Sequence, residues 1–144
     1  MPDFKLVIND PKTAKSYQKI VTGNEADVFR GLKIKSKVNG EQIGLKDYQL
    51  EITGGSDNAG FPMRFDIEGI LRRRPLINKG PGVKGLKKGE KIRKTVSGNT
   101  ISHITSQINL KVLKHGSKSL DEIFGKVQEK KQESAPQEAK KESS

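Results

Sequence analysis

The chain has 144 residues and carries 28 Lys and Arg against 17 Asp and Glu, a net charge of +11, so it is sized for one ordinary domain and favours a polyanionic partner. It has no cysteine and no tryptophan, which excludes disulfide frameworks, thiolate metal sites, iron–sulfur clusters and Cys nucleophiles by inventory. Its apolar runs are triplets such as Leu6-Val7-Ile8, far short of the roughly 20 residues of a membrane span or the 7 to 15 of a signal sequence, so an intracellular protein without a membrane partner is expected.

In chain order, Phe4 to Ile8 is apolar and extended in character, Asn9-Asp10-Pro11 marks a turn, and Tyr17 to Val21 is a second β-type run. Together they predict an N-terminal hairpin. Asn24 as N-cap, Glu25 and Asp27 in the first turn, and the stripe Val28, Phe29, Leu32 predict a short helix over 24–30, ended by Gly31. After the Asn39-Gly40 turn signal, Tyr48 to Thr53 alternates, with Tyr48, Leu50 and Ile52 on one side, which predicts a half-buried strand. A piece of strand character runs from Ile67 to Ile77, broken by Arg72-Arg73-Arg74-Pro75, and a second clean alternation covers Thr100 to Lys114. Ser119 and Glu122 have capping-box spacing before Ile123, Phe124 and the stop Gly125, so one terminal helical turn is predicted. The class that follows is mainly β, a small β-barrel-like domain over 1–125 with one or two short helices and an extended basic loop. The tail, 126–144, holds five Lys, four Glu and one branched aliphatic, Val127, and is expected to be disordered.

The charge is concentrated between Arg64 and Lys94. Eleven basic residues (Arg64, Arg72, Arg73, Arg74, Lys79, Lys84, Lys87, Lys88, Lys91, Arg93 and Lys94) face three acids, Asp66, Glu68 and Glu90, a net charge of +8. Such a cluster repels itself in a compact free protein, so an anionic partner should offset it, and nucleic acid phosphates meet that need. The one aromatic in this segment is Phe65. Phosphate contact with a folded nucleic acid is therefore expected in place of stacking on splayed bases.

Thr53 to Met63 packs glycines, turn-forming polar residues and a proline together and reads as a tight connection. In it, Gly54, Gly55 and Ser56 form a possible contact loop for phosphate, while Phe61 and Met63 pack beneath. Gly80-Pro81-Gly82-Val83-Lys84-Gly85 has the spacing G-x-G-x-x-G, but Leu86-Lys87-Lys88-Gly89 follows it without an amphipathic helix, so a flexible basic loop is expected and no nucleotide cofactor. His103 and His115 have no nucleophile at recognisable spacing, and Asp57, Asp66 and Glu68 lie beside bases that can salt-bridge them. No catalysis, metal or small-molecule substrate is expected.

Leu50-Glu51-Ile52-Thr53-Gly54-Gly55-Ser56-Asp57, running on to Gly60-Phe61-Pro62-Met63, is followed by Lys79-Gly80-Pro81-Gly82, Lys88-Gly89-Glu90, Arg93-Lys94-Thr95-Val96 and Gly98-Asn99-Thr100-Ile101. In order and spacing these blocks resemble the e-type S-six family of archaeal and eukaryotic small ribosomal subunits, over about residues 3–125. The resemblance implies a β-rich, non-catalytic, cytoplasmic and ribosome-bound protein whose partners are small-subunit ribosomal RNA and neighbouring ribosomal proteins. It also implies basic contacts at Arg64, Lys79, Lys87, Lys88, Lys91, Arg93 and Lys94. Val83, Leu86, Ile92 and Ser97 stand in neighbourhoods where the family commonly carries Arg or Lys. A stand-alone nucleic-acid-binding or chromatin-associated protein is the alternative that the same charge would serve.

Overall fold

Period-two alternation produces the central sheet of the computed structural model, which describes residues 3–125. The predicted tail, 126–144, lies outside the described residues. Strand β1, Phe4–Asp10, buries Phe4, Leu6 and Ile8 and leaves Lys5 exposed. It turns back into β2, Lys15–Val21, with Phe4 opposite Val21 and Asp10 opposite Lys15, which is the predicted hairpin. Inside the turn the Lys12 amide donates to Asp10 Oδ1 at 2.9 Å, a side-chain mimic of a backbone turn.

The first helix, α1, spans only Asn24–Asp27, shorter than the predicted 24–30. The amides of Phe29 and Arg30 take carbonyls three residues back at 3.1 and 3.2 Å, and the Gly31 amide donates instead to Ile101 O at 2.9 Å. Tertiary bonding thus claims the donor that a longer helix would use. Strand β3, Lys37–Asn39, leads into a 3-10 turn, Gly40–Ile43, and then into β4, Gln49–Asp57.

β4 continues past the predicted end at Thr53 because ten residues of β7, Thr105–Lys114, offer it a partner, with register shifts between Ile52 and Gly54 and between Ser56 and Asp57. A Cβ at Gly55 would lie 2.2 Å from the Gln107 carbonyl oxygen, so this approach of the two strands needs glycine. The predicted Thr53–Met63 connection therefore begins later, after Asp57. Of the predicted piece Ile67 to Ile77 only β5, Leu76–Ile77, is a strand, and it pairs with β6, Ile92–Arg93. Residues before it run instead beside 97–100, where the Asn99 amide donates to Ile67 O at 2.8 Å and the Thr100 amide to Gly69 O at 3.2 Å.

The main sheet has the order β2-β1-β7-β4-β3, with β1 and β7 parallel. It is mainly β as expected, but the barrel does not close: among the described residues β2 and β3 end the sheet as edges. Closure needs a continuous ladder between the outer strands, and β3, three residues long, offers too little. One face carries the core, Phe4, Leu6, Ile8, Leu50, Ile52, Ile108, Leu110 and Val112, joined by Phe29, Ile43, Leu45, Met63, Ile101, Leu120 and Phe124. Helical residues 120–125 close this face, and the predicted cap is present, with the Glu122 amide donating to Ser119 Oγ at 3.4 Å. Among the described residues no helix is long and apolar enough to cross a membrane.

Candidate nucleic-acid interface

The exit from β4 sets the start of the basic segment. The Asp57 carboxylate is buried and accepts the amides of Ala59 and Phe61 at 2.9 and 3.0 Å, which folds the chain back so that the Met63 amide reaches Gly55 O at 3.0 Å. The next residue, Arg64, is held by its amide bond to Ser97 O at 3.1 Å. Met63 is buried and Phe61 half-buried, as expected of residues that pack beneath the turn.

Arg64 is the exception among the eleven bases, only 6% exposed. Its Nε and Nη2 donate to the two oxygens of Asp66, both at 2.9 Å, and its Nη1 donates to Lys79 O at 3.1 Å and Pro81 O at 3.2 Å. The fork from Arg64 holds the Asp66 carboxyl below its ordinary value, and Asp66 in turn raises Arg64. The structure thus places Arg64, expected among the RNA contacts, with its guanidinium engaged inside the protein. Gly80, at φ +112°, lies flat on that guanidinium, and a Cβ there would be 3.0 Å from Nη1. The first glycine of the spacing that resembles a dinucleotide signature thus serves close packing of backbone on an arginine, whereas Gly82 packs toward Pro62 and Val96 and Gly85 faces open space.

Arg72 is also committed. Its Nε donates to Asp57 Oδ2 at 2.6 Å, its Nη2 to Asn58 Oδ1 at 2.8 Å, and its guanidinium carbon lies 5.3 Å from the Phe61 ring centroid. The other nine, Arg73, Arg74, Lys79, Lys84, Lys87, Lys88, Lys91, Arg93 and Lys94, have exposed side chains. Arg73 and Val96 exchange backbone bonds, each 2.9 Å, and Leu76 pairs with Arg93. This pairing draws Arg74, Arg93 and Lys94 into one groove with Phe61, Pro62, Ile92 and Thr95. The groove does not include Lys79, Lys84, Lys87, Lys88 and Lys91, which are strung along the β5–β6 connection. There the Glu90 amide bonds Lys87 O and its carboxylate accepts the Lys87 amide, both at 3.1 Å.

Gly54, Gly55 and Ser56, expected in a contact loop, lie inside β4 opposite Asn109, Ile108 and Gln107. Sequence reasoning missed Lys35, whose Nζ stands 4.6 Å over the ring centroid of Phe65, itself 56% exposed. The signal available was the alternation Lys33, Lys35, Lys37, all exposed. His103 is exposed, whereas His115 Nε2 lies 2.8 Å from Asp10 Oδ1.

A surface on which nine exposed cations have no ion pair among the described residues, grooved at one point, is suited to a polyanionic backbone. Comparison with known proteins gives the same direction. Over 130 residues, 90% of this chain and 98% of the relative, it is 45% identical to a protein of Methanosphaera stadtmanae named small ribosomal subunit protein eS6. Proteins of the same name from Methanocella arvoryzae and Methanocaldococcus jannaschii are 47% and 48% identical, over 90% and 87% of this chain and 92% and 93% of their own lengths. Residues 4–125 match the family described as Ribosomal protein S6e, and the chain belongs to that family.

Proposed function

We propose that this chain is a non-catalytic, structural constituent of the small ribosomal subunit that binds and stabilises folded ribosomal RNA in support of translation. Arg73, Arg74, Lys79, Lys84, Lys87, Lys88, Lys91, Arg93 and Lys94 contact phosphates, Arg as planar forks and Lys as point charges. The β5–β6 connection acts as an extended basic loop against the RNA, while the body, residues 1–125, works as one domain seated among neighbouring ribosomal proteins. No cofactor or small-molecule substrate takes part, and the protein works ribosome-bound in the cytoplasm.

What supports this reading is the pairing of β5 with β6, which gathers Arg74, Arg93 and Lys94 from the two ends of the segment at one groove, in a family whose members bear a ribosomal name. Density-gradient fractionation of a cell extract, with mass-spectrometric quantification in the small-subunit peak after a moderate salt wash, tests it. Stoichiometric retention is the expected result. A chain that stays at the top of the gradient at low salt is a free nucleic-acid-binding protein, and the reading is then wrong. With purified RNA, engagement of six to ten phosphates predicts a loss of roughly 10³ to 10⁵ in affinity between 50 and 200 mM salt.

A further inference from the structure

We propose that Arg64 and Asp66 form an internal clamp that fixes the β5–β6 connection in its RNA-binding shape before RNA arrives. The inference rests on the RNA-binding reading above for its functional consequence, while the clamp itself rests on geometry. The connection carries Gly80, Gly82, Gly85 and Gly89 among its lysines, and a glycine-rich, self-repelling segment loses much conformational entropy when it orders. Arg64 acts against that cost. Its guanidinium reaches out of the body to the carbonyls of Lys79 and Pro81, at 3.1 and 3.2 Å, while Asp66 grips its other edge. Gly80 seated on the guanidinium plane completes the contact, and the Val83 amide bond to Gly80 O at 3.2 Å carries the turn onward.

Asp66 makes the inference sharp, because a carboxylate within the basic segment Arg64–Lys94 repels phosphate. For a simple electrostatic surface its removal strengthens RNA binding. For a clamp its removal weakens binding, since ordering is then left to the RNA. Arg64 separates the same alternatives. Lysine preserves the charge but cannot span a carboxylate and two carbonyls, so Arg64→Lys is nearly silent for a phosphate contact and damaging for a clamp.

The test uses the full chain, Asp66→Ala and Arg64→Lys, with small-subunit ribosomal RNA transcribed in vitro as the probe and amide hydrogen exchange on the free proteins. In both variants the Val83 amide should exchange faster while amides of β1 and β7 remain protected, which shows the sheet intact. Affinity for RNA should fall about tenfold, with the slope of log K against log salt unchanged because the same phosphates are finally engaged. Unchanged exchange at Val83, or Asp66→Ala binding as tightly as the parent or more tightly, overturns the clamp. If the parent chain itself fails to bind this RNA, the ribosomal reading falls, and the exchange comparison still decides whether the clamp exists. Should one variant lose its sheet, the other carries the test alone.

Discussion

Arg72 and Arg73 are neighbours with opposite duties. Arg72 neutralises the buried Asp57 carboxylate at 2.6 Å, whereas Arg73 is held only through its backbone to Val96. Arg72→Ala strands a buried acid that also organises the turn, and should lower unfolding free energy by roughly 2 kcal/mol, read by chemical denaturation. Arg73→Ala should change stability by less than about 0.5 kcal/mol while reducing the salt slope of RNA binding by roughly 0.9. Composition located the charge of this segment but not its division of labour. The Arg64–Asp66 pair lies two residues apart and is visible in the sequence, but Asp57 and Arg72 are fifteen apart, and no local rule joins them. Acid should expose the pairing at Asp66 and another at Asp10. Burial pushes the Asp10 carboxyl up, but bonds from His115, the Lys12 amide and Thr13 outweigh it, so it sits below the ordinary 3.8, as does Asp66 beside Arg64. Groups depressed in this way contribute stability that is full above the ordinary carboxylate value and is lost as pH falls through the lower folded values. Stability should therefore begin to fall below about pH 4, and Asp66→Ala should flatten that fall in a pH series of denaturation curves.

Elements were legible in the sequence in proportion to their alternation. β1 and β7 follow their apolar periods, β2 follows a β-type run in which Lys19 turns inward and Ile20 stays exposed, and the Ser119 cap starts helical residues 120–125. β4 was read short because Gly54-Gly55 signals a loop locally, whereas here glycine permits two strands to close up. Period two also tells which face is buried without telling which strand lies alongside, so the open edges at β2 and β3 had no signature. The terminal helical turn is fastened to β2 by the Tyr17–Phe124 stack, centroids 5.1 Å apart, and by the Tyr17 hydroxyl donating to Asp121 at 2.5 Å. That bond, with burial, pushes the Tyr17 phenol up to about 12. The proton is held more tightly in the fold, so this stabilisation is complete below the ordinary value of 10 and lost as pH rises through about 12. Tyrosinate absorbance during alkaline titration should appear late, and Tyr17→Phe should cost about 1 kcal/mol. Phe124→Ala should cost roughly 3 kcal/mol in the same denaturation assay.

At the scale of the whole molecule, salt should act in two directions. A net charge of +11, with nine exposed cations in one segment outside the ion pairs of the described residues, burdens the free fold with self-repulsion that counterions relieve. The thermal midpoint of the isolated protein should therefore rise between low and physiological ionic strength, while its affinity for RNA falls. A midpoint that drops with salt would show that the pairs to Asp57, Asp66 and Asp121 outweigh the repulsion. The sheet order has a different consequence, one of timing. β7, the last strand among the described residues, lies at the centre, between β1 and β4. Until residue 114 has left the synthesising ribosome, the β1–β2 hairpin and the β3–β4 hairpin have no common partner, and each keeps an apolar face wet. Birth of this protein is thus a wait for its keystone. A nascent chain stalled before β7 should be open to protease and to chaperones, and one stalled just beyond it should be closed to both.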